Sequence, residues 1–105
     1  MEDPAESEDE NLLPQEFLKL LGSTATVSIL KGIHKGENQY KYFYSIASPS
    51  TLNTRIGKLI TLRIIEHHIT REPRRKEWYT LTERGKRIVE AIIELEKTFL
   101  GGMIW

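Results

Sequence analysis

Along most of this chain the apolar positions recur at helical spacing, and in one stretch they alternate. Asn11 to Leu21 holds Leu12, Leu13, Phe17, Leu18, Leu20 and Leu21. Pro14 lacks an N–H and so opens a helix rather than sitting inside one, which predicts a first helix from near Pro14 to Gly22. Its apolar residues cover more than one face, so it is buried on two sides or meets another subunit. Ser23 to Lys35 predicts a second helix, capped by Ser23 or Thr24, with Val27, Ile29, Leu30 and Ile33 inward and Gly36 as its stop. Within Glu37 to Ala47, the positions of Tyr40, Phe43, Tyr44 and Ala47 predict a short aromatic third helix with Tyr42 turned to solvent.

The next stretch, Ser48 to Arg63, is the most informative. Ser48 suits an N-cap and Pro49 a first helical residue, where the missing N–H would have had no partner anyway. Leu52, Ile56 and Leu59 then lie on one face of a predicted helix over 49–62. The opposite face carries Ser50, Thr54, Lys58 and Thr61, with Thr51, Asn53 and Arg55 at its margins, and no carboxylate. Such a face suits an anionic polymer and the edges of its bases; the alternative is an ordinary amphipathic helix with a solvated side.

After it, Ile64 to Arg71 is rich in β-branched residues and of strand length, and Glu77 to Leu81 alternates, predicting a hairpin turned at Pro73. Its tip holds Arg71, Arg74, Arg75 and Lys76, a cationic protrusion suited to gripping phosphate. Thr82 caps a final helix over 83–100, ended by Gly101 and Gly102. The apolar stripe of that helix, from Ile88 to Leu100, is too wide for one small domain to bury. A homodimer is therefore expected, built from the first and last helices through Leu12, Leu13, Phe17, Ile92, Leu95, Phe99 and Trp105.

Charge sharpens this picture. The chain of 105 residues has a formal net charge of zero, but six of its fifteen acidic residues lie in the first ten positions. Residues 1–10 hold little that could offset the entropy of ordering them and are expected to form a disordered acidic tail. The remainder, one domain over 11–105, carries fifteen basic against nine acidic residues. All of that excess falls between Arg55 and Arg87, with ten basic and four acidic residues. One third of the chain is thus polarised toward an anionic partner.

Other chemistry finds little footing. There is no cysteine, hence no disulfide, thiolate metal site or thiol nucleophile. The only aspartates are Asp3 and Asp9, and the three histidines have no nucleophile at a catalytic spacing. His67 and His68, adjacent in a strand, point to opposite faces and cannot share a metal. No Gly-rich phosphate loop is present. The expectation is a protein that is not an enzyme and uses neither metal nor cofactor. No apolar run approaches a membrane span, and the start is acidic where a signal peptide is basic, so a cytoplasmic location away from membranes is expected.

The order of elements, three helices, a carboxylate-free helix, a basic hairpin and a long helix, resembles a winged helix-turn-helix. At the residue level it resembles the HxlR group of prokaryotic transcription regulators, related to the MarR and PadR types. The resemblance rests on Ser28-Ile29-Leu30-Lys31-Gly32-Ile33 followed by Gly36 and Tyr40 to Phe43. It rests also on Ser48, Pro49, Leu52, Arg55, Ile56 and Leu59, and on Arg75 through Gly85 with Leu81-Thr82-Glu83-Arg84-Gly85 at its end. It covers roughly residues 20 to 97. Arg63 departs from it, standing where the family has glycine after the recognition helix, and the wing tip has three consecutive cations in place of a proline pair.

The resemblance implies a mainly α fold with a small β-hairpin wing, flanked by N- and C-terminal dimerisation helices. It implies sequence-specific binding to double-stranded DNA and transcription regulation. Phosphates would be held by Arg71, Arg74, Arg75 and Lys76 on the wing, helped by Arg55 and by Ser48 at the helix start. Base edges in the major groove would be read by Ser50, Thr51, Asn53, Thr54 and Lys58. A two-fold dimer would present its recognition helices about 34 Å apart, so an inverted-repeat site is expected. The competing expectation is a winged-helix module that binds another protein within a larger assembly.

Overall fold

The computed structural model describes residues 14–104, with side chains described as far as residue 101. The acidic tail, Leu12, Leu13 and Trp105 lie outside the described residues. The chain is mostly helical and carries one antiparallel hairpin, a layout compatible with a helix-turn-helix and wing. Helix α1 covers residues 14–21. Helix α2, Thr24–His34, is followed by a single 3-10 turn at Tyr40–Phe43, helix α3 at Pro49–Thr61, strands β1 at Ile65–Thr70 and β2 at Lys76–Leu81, and helix α4 at Glu83–Ile104.

Helix α2 is the central post and packs against α3, α4 and β2. Its Ile29, Leu30 and Ile33 meet Leu52, Ile56 and Leu59 of α3, with Phe43, Ile64, Ile65, Tyr79 and Val89 closing one core. Val27, expected inward, is only half-buried, while Ala25 and Thr26 are buried in the first turn. Ser23 stands at the N-cap with extended backbone, but its side chain makes no capping hydrogen bond, so the hydroxyl adds nothing at that end.

Two helices end in the same way with different residues. At the end of α2 the Glu37 N–H donates to the Gly32 carbonyl at 2.9 Å and the Gly36 N–H to the Ile33 carbonyl at 3.0 Å. This paired closure needs a left-handed residue between, supplied by Gly36 at φ 97°. At the end of α3 the Ile64 N–H donates to Leu59 at 2.9 Å and the Arg63 N–H to Ile60 at 3.0 Å. Here the left-handed residue is Arg63, at φ 58°. The closure survives without glycine because Leu59 and Ile64, the apolar pair that accompanies it, are both buried.

The third helix expected from the aromatic spacing is replaced by the 3-10 turn. Its tighter winding, three residues per turn, keeps Tyr40 and Phe43 on one side and rotates Tyr44 away. Tyr44 is 62% exposed, more than Tyr42 at 46%, the reverse of the helical expectation. The last helix also differs. Gly101 keeps helical backbone and α4 runs on to Ile104 instead of stopping at 100; a glycine costs a helix about 1 kcal/mol but ends it only when it turns left-handed.

The hairpin register pairs Ile65 with Leu81, His67 with Tyr79 and Thr70 with Lys76. On its outer edge the Tyr79 N–H donates to the Asn38 carbonyl at 2.8 Å, tying the loop after α2 to β2. The root is held more firmly. Thr82 Oγ1 lies 2.6 Å from the Arg63 carbonyl and 3.0 Å from that of Ile64, and accepts from the Gly85 N–H at 3.0 Å. Arg84 Nη1 donates to the Leu62 carbonyl at 2.9 Å. The start of α4 therefore caps the end of α3.

This junction generates two predictions. A Cβ added at Gly85 would lie 2.1 Å from the Ile64 carbonyl oxygen. Helix propensity alone favours alanine there by about 1 kcal/mol, but the clash is with backbone, so Gly85→Ala is expected to destabilise by about 2–4 kcal/mol in urea unfolding. Arg63→Gly is expected to stabilise by about 0.5–1 kcal/mol, because it relieves left-handed backbone and gives back part of the gain as unfolded-state entropy. Unchanged urea midpoints in both variants would remove the account of the junction.

Candidate nucleic-acid interface

Helix α3 divides as its spacing requires. Leu52, Ile56 and Leu59 are buried, while Ser50, Asn53, Thr54, Gly57, Lys58 and Thr61 are exposed. Ser48 Oγ accepts from the Thr51 N–H at 3.4 Å and donates to Thr51 Oγ1 at 3.2 Å. Its hydroxyl is thus committed to the cap, and Thr51 is half-buried beside it. Thr54 Oγ1 donates back to the Ser50 carbonyl and Thr61 Oγ1 to that of Gly57, each at 3.0 Å. With their protons so used, these threonines offer lone pairs and methyl groups outward rather than donors.

Asn53 is held from outside its own helix. The Tyr40 hydroxyl donates to Asn53 Oδ1 at 2.8 Å, which leaves the amide NH2 as a donor pair. Spacing places Tyr40 in the core and gives no sign of this second task. The hint is its identity: a largely covered tyrosine, unlike a phenylalanine, needs a partner for its hydroxyl. Its ring meanwhile packs edge-on against Phe43 and Tyr44, at centroid distances of 6.2 and 5.3 Å.

Arg55 and Lys58 take the side of α3 that faces α1. Both line a cleft between α3 and α1, together with Glu16, Lys19, Leu20, Thr61 and Leu62. Arg55 is half-buried, and its Nε is fully covered without a hydrogen-bond partner. Of the expected base-reading set, then, Ser50, Asn53 and Thr54 share the open face, Thr51 turns to the cap and Lys58 to the cleft margin.

On the hairpin, Arg71, Arg74, Arg75 and Lys76 are all exposed. Arg75 Nη2 lies 3.4 Å from Glu77 Oε2, so its charge is partly offset. Behind the tip each histidine stacks on an aromatic ring of the opposite strand. His67 lies on Tyr79 at 4.8 Å and 15°, His68 on Trp78 at 5.2 Å and 16°. The two histidines take opposite faces, as strand alternation requires. His67 Nε2 is 2.7 Å from Glu77 Oε1, and His68 Nε2 is 2.7 Å from Thr80 Oγ1. Trp78 borders a cavity with Thr70, Glu72, Pro73, Arg74 and Lys76. Burial, reinforced by the nearby Glu77 carboxylate and Tyr40, raises the Tyr79 phenol above its ordinary pKa; that phenol therefore stays neutral through the physiological range.

No protein-family model, curated protein or solved structure matches this chain. The chemistry of the site must accordingly be read from its own residues. Among the described residues no three His, Asp or Glu side chains come together as a metal-holding group, and no helix is long and apolar enough to cross a membrane. The features present are an exposed helix face bearing hydroxyls and an amide, a hairpin tip with four cations and a cleft with three cations and one carboxylate.

Exposed large apolar side chains occur in the middle of the chain, at Tyr42, Tyr44, Ile60 and Ile69, and on the first and last helices. Leu95, Phe99 and Leu100 of α4 are 70%, 66% and 58% exposed, and Leu18 of α1 is 65% exposed. Phe17, Ile92 and Ile93 are partly covered by the core, so the residues expected at a dimer interface divide into some that pack on the chain's own core and some, Leu95 and Phe99, that do not.

Proposed function

We propose that this chain is a winged helix-turn-helix regulator of transcription, similar to the HxlR group, that binds double-stranded DNA as a homodimer without catalysing a reaction. Helix α3, with the turn to residue 62, enters the major groove, and the wing at 71–76 lies along phosphates. The observation that carries this reading is the outer face of α3: it has no carboxylate over Ser48 to Arg63 and is not used by the core. Ser50, Asn53 and Thr54 present lone pairs, methyls and an amide there, the groups that discriminate base edges. The tip cations supply sequence-independent attraction. Arg55 and Lys58 contribute charge from the cleft rather than base reading.

Dimerisation through α4, with α1 alongside, accounts for Leu95, Phe99, Leu100 and Leu18, whose exposure is otherwise costly to a free protomer. A two-fold pair of α3 helices leads to an inverted-repeat site with half-sites one helical turn apart. The same apolar surface favours a second reading, in which the module binds a different protein through α4 and the basic hairpin serves that assembly.

Two experiments separate these readings. Fluorescence anisotropy with random and selected duplexes is expected to show tight, salt-sensitive binding. Arg74→Ala with Arg75→Ala should weaken binding to every sequence and lower the slope of log K against log salt by about 0.9 for each phosphate no longer neutralised. If that variant binds like the parent, the wing is misassigned. In sedimentation, the parent is expected as a dimer and Leu95→Glu with Phe99→Glu as a folded monomer, since both side chains lie mostly outside the protomer core. A parent that runs as a monomer at micromolar concentration, with no salt-sensitive DNA binding, favours the protein-binding module.

A further inference from the structure

The cleft between α1 and α3 has a feature that the fold does not explain. Arg55 buries its Nε with no hydrogen-bond partner, one of only two such side-chain atoms among the described residues. Leaving a donor of a charged group buried and unsatisfied costs more than leaving a neutral one, and packing alone gives no reason to prefer arginine to methionine here. The cleft holds about 440 Å3, within the roughly 300–1,000 Å3 span of small-molecule sites.

Its charged lining is Arg55 and Lys58 from α3 and Lys19 and Glu16 from α1, with Leu20, Leu62 and Thr61 completing the wall. The lining therefore carries three positive charges against the one negative charge of Glu16, and none of the four is in an ion pair among the described residues. Guanidinium donors in a fixed plane, flanked by mobile ammonium groups, match the oxygens of a phosphate better than a single carboxylate, because more acceptors face more donors. The leucines and the Thr61 methyl leave room for a group attached to it.

We infer that the α1–α3 cleft is an oxyanion site that takes a phosphate group, with Arg55 as its principal ligand and Lys19 and Lys58 as charge partners. The site goes beyond the reading of the chain as a DNA-binding regulator, because it holds whether or not the chain binds DNA. The phosphate belongs either to a free phosphorylated molecule or to a nucleic-acid backbone. Occupied by a free molecule, the cleft would join α1 to the flank of α3 and so link a small ligand to the exposed helix face.

The test uses the full chain and inorganic pyrophosphate at fixed ionic strength. Isothermal titration and the NMR signals of the Arg55 guanidinium group are expected to report saturable binding. Arg55→Met should weaken it by about tenfold or more, the loss of one charge-assisted hydrogen bond. In phosphate-free buffer the same variant should unfold at the same or higher urea, since it removes an unsatisfied buried donor. Glu16→Gln should tighten binding without loss of stability. A second arm adds duplex DNA. Competition between duplex and pyrophosphate, with a salt slope reduced by about one unit in Arg55→Met, assigns the phosphate to the backbone; independent binding assigns it to a free molecule. The inference is overturned if Arg55→Met binds pyrophosphate like the parent, if pyrophosphate leaves the Arg55 guanidinium signals unmoved, or if Arg55→Met or Glu16→Gln destabilises the ligand-free chain. The last result would make Arg55 the structural partner of Glu16. Since the pyrophosphate arm involves no nucleic acid, its failure leaves the DNA-binding reading untouched.

Discussion

The close approach of the Ile64 carbonyl to the bare Cα of Gly85 is the constraint on which the rest of this structure depends. Around it, one hydroxyl, that of Thr82, reaches two carbonyls at the end of α3 and caps the first turn of α4. Helix ends leave carbonyls and amides without partners, and here the orphans of one helix are satisfied by the start of another. The hairpin leaves and returns at this point. The angle at which β1 departs from α3, and the line along which α4 crosses α2, are set by the same few atoms.

Because the junction fixes α3 from its C-terminal end and the core fixes its inner face, the outer face carries no structural duty. Most of its hydroxyls are occupied with local backbone bonds, which holds their rotamers without covering them. Asn53 is positioned by Tyr40 from the 3-10 turn, a separate element. The result is an ordered polar surface whose side chains lose little further freedom on meeting a partner, and pre-organisation of this kind reduces the entropic cost of association.

Charge is distributed with the same separation. The cations at the hairpin tip are exposed; of these, only Arg75 forms an ion pair among the described residues, with Glu77, while Glu72 lies within the tip beside Arg74 and Lys76. Glu77 sits one step behind, its carboxylate 2.7 Å from His67 Nε2. The cleft beside α1 holds three further cations with one carboxylate, Glu16. Two positive regions of different character, one at a solvated tip and one recessed, lie on a chain whose formal charge is zero.

Hydrophobic spacing, with β-branched content for the first strand and caps and prolines for the boundaries, determined α1, α2 and α3, the two strands and the start of α4, because these signals act within a turn or a strand. The cap at Ser48, the cap at Thr82 and the opposite faces of His67 and His68 were legible for the same reason: each depends on residues within a turn or on strict alternation. The 3-10 turn was not legible. Tyr40, Phe43 and Tyr44 satisfy a helical period, and only the anchoring of Asn38 to β2 and of Tyr40 to Asn53 shows where that segment must bend. Nor could spacing show that Arg63 would take the left-handed position, that Gly85 answers to a carbonyl twenty-one residues earlier, or that Arg55 would turn toward α1. These outcomes belong to tertiary structure because each is set by elements distant in sequence, and local periodicity carries no record of what lies across the core.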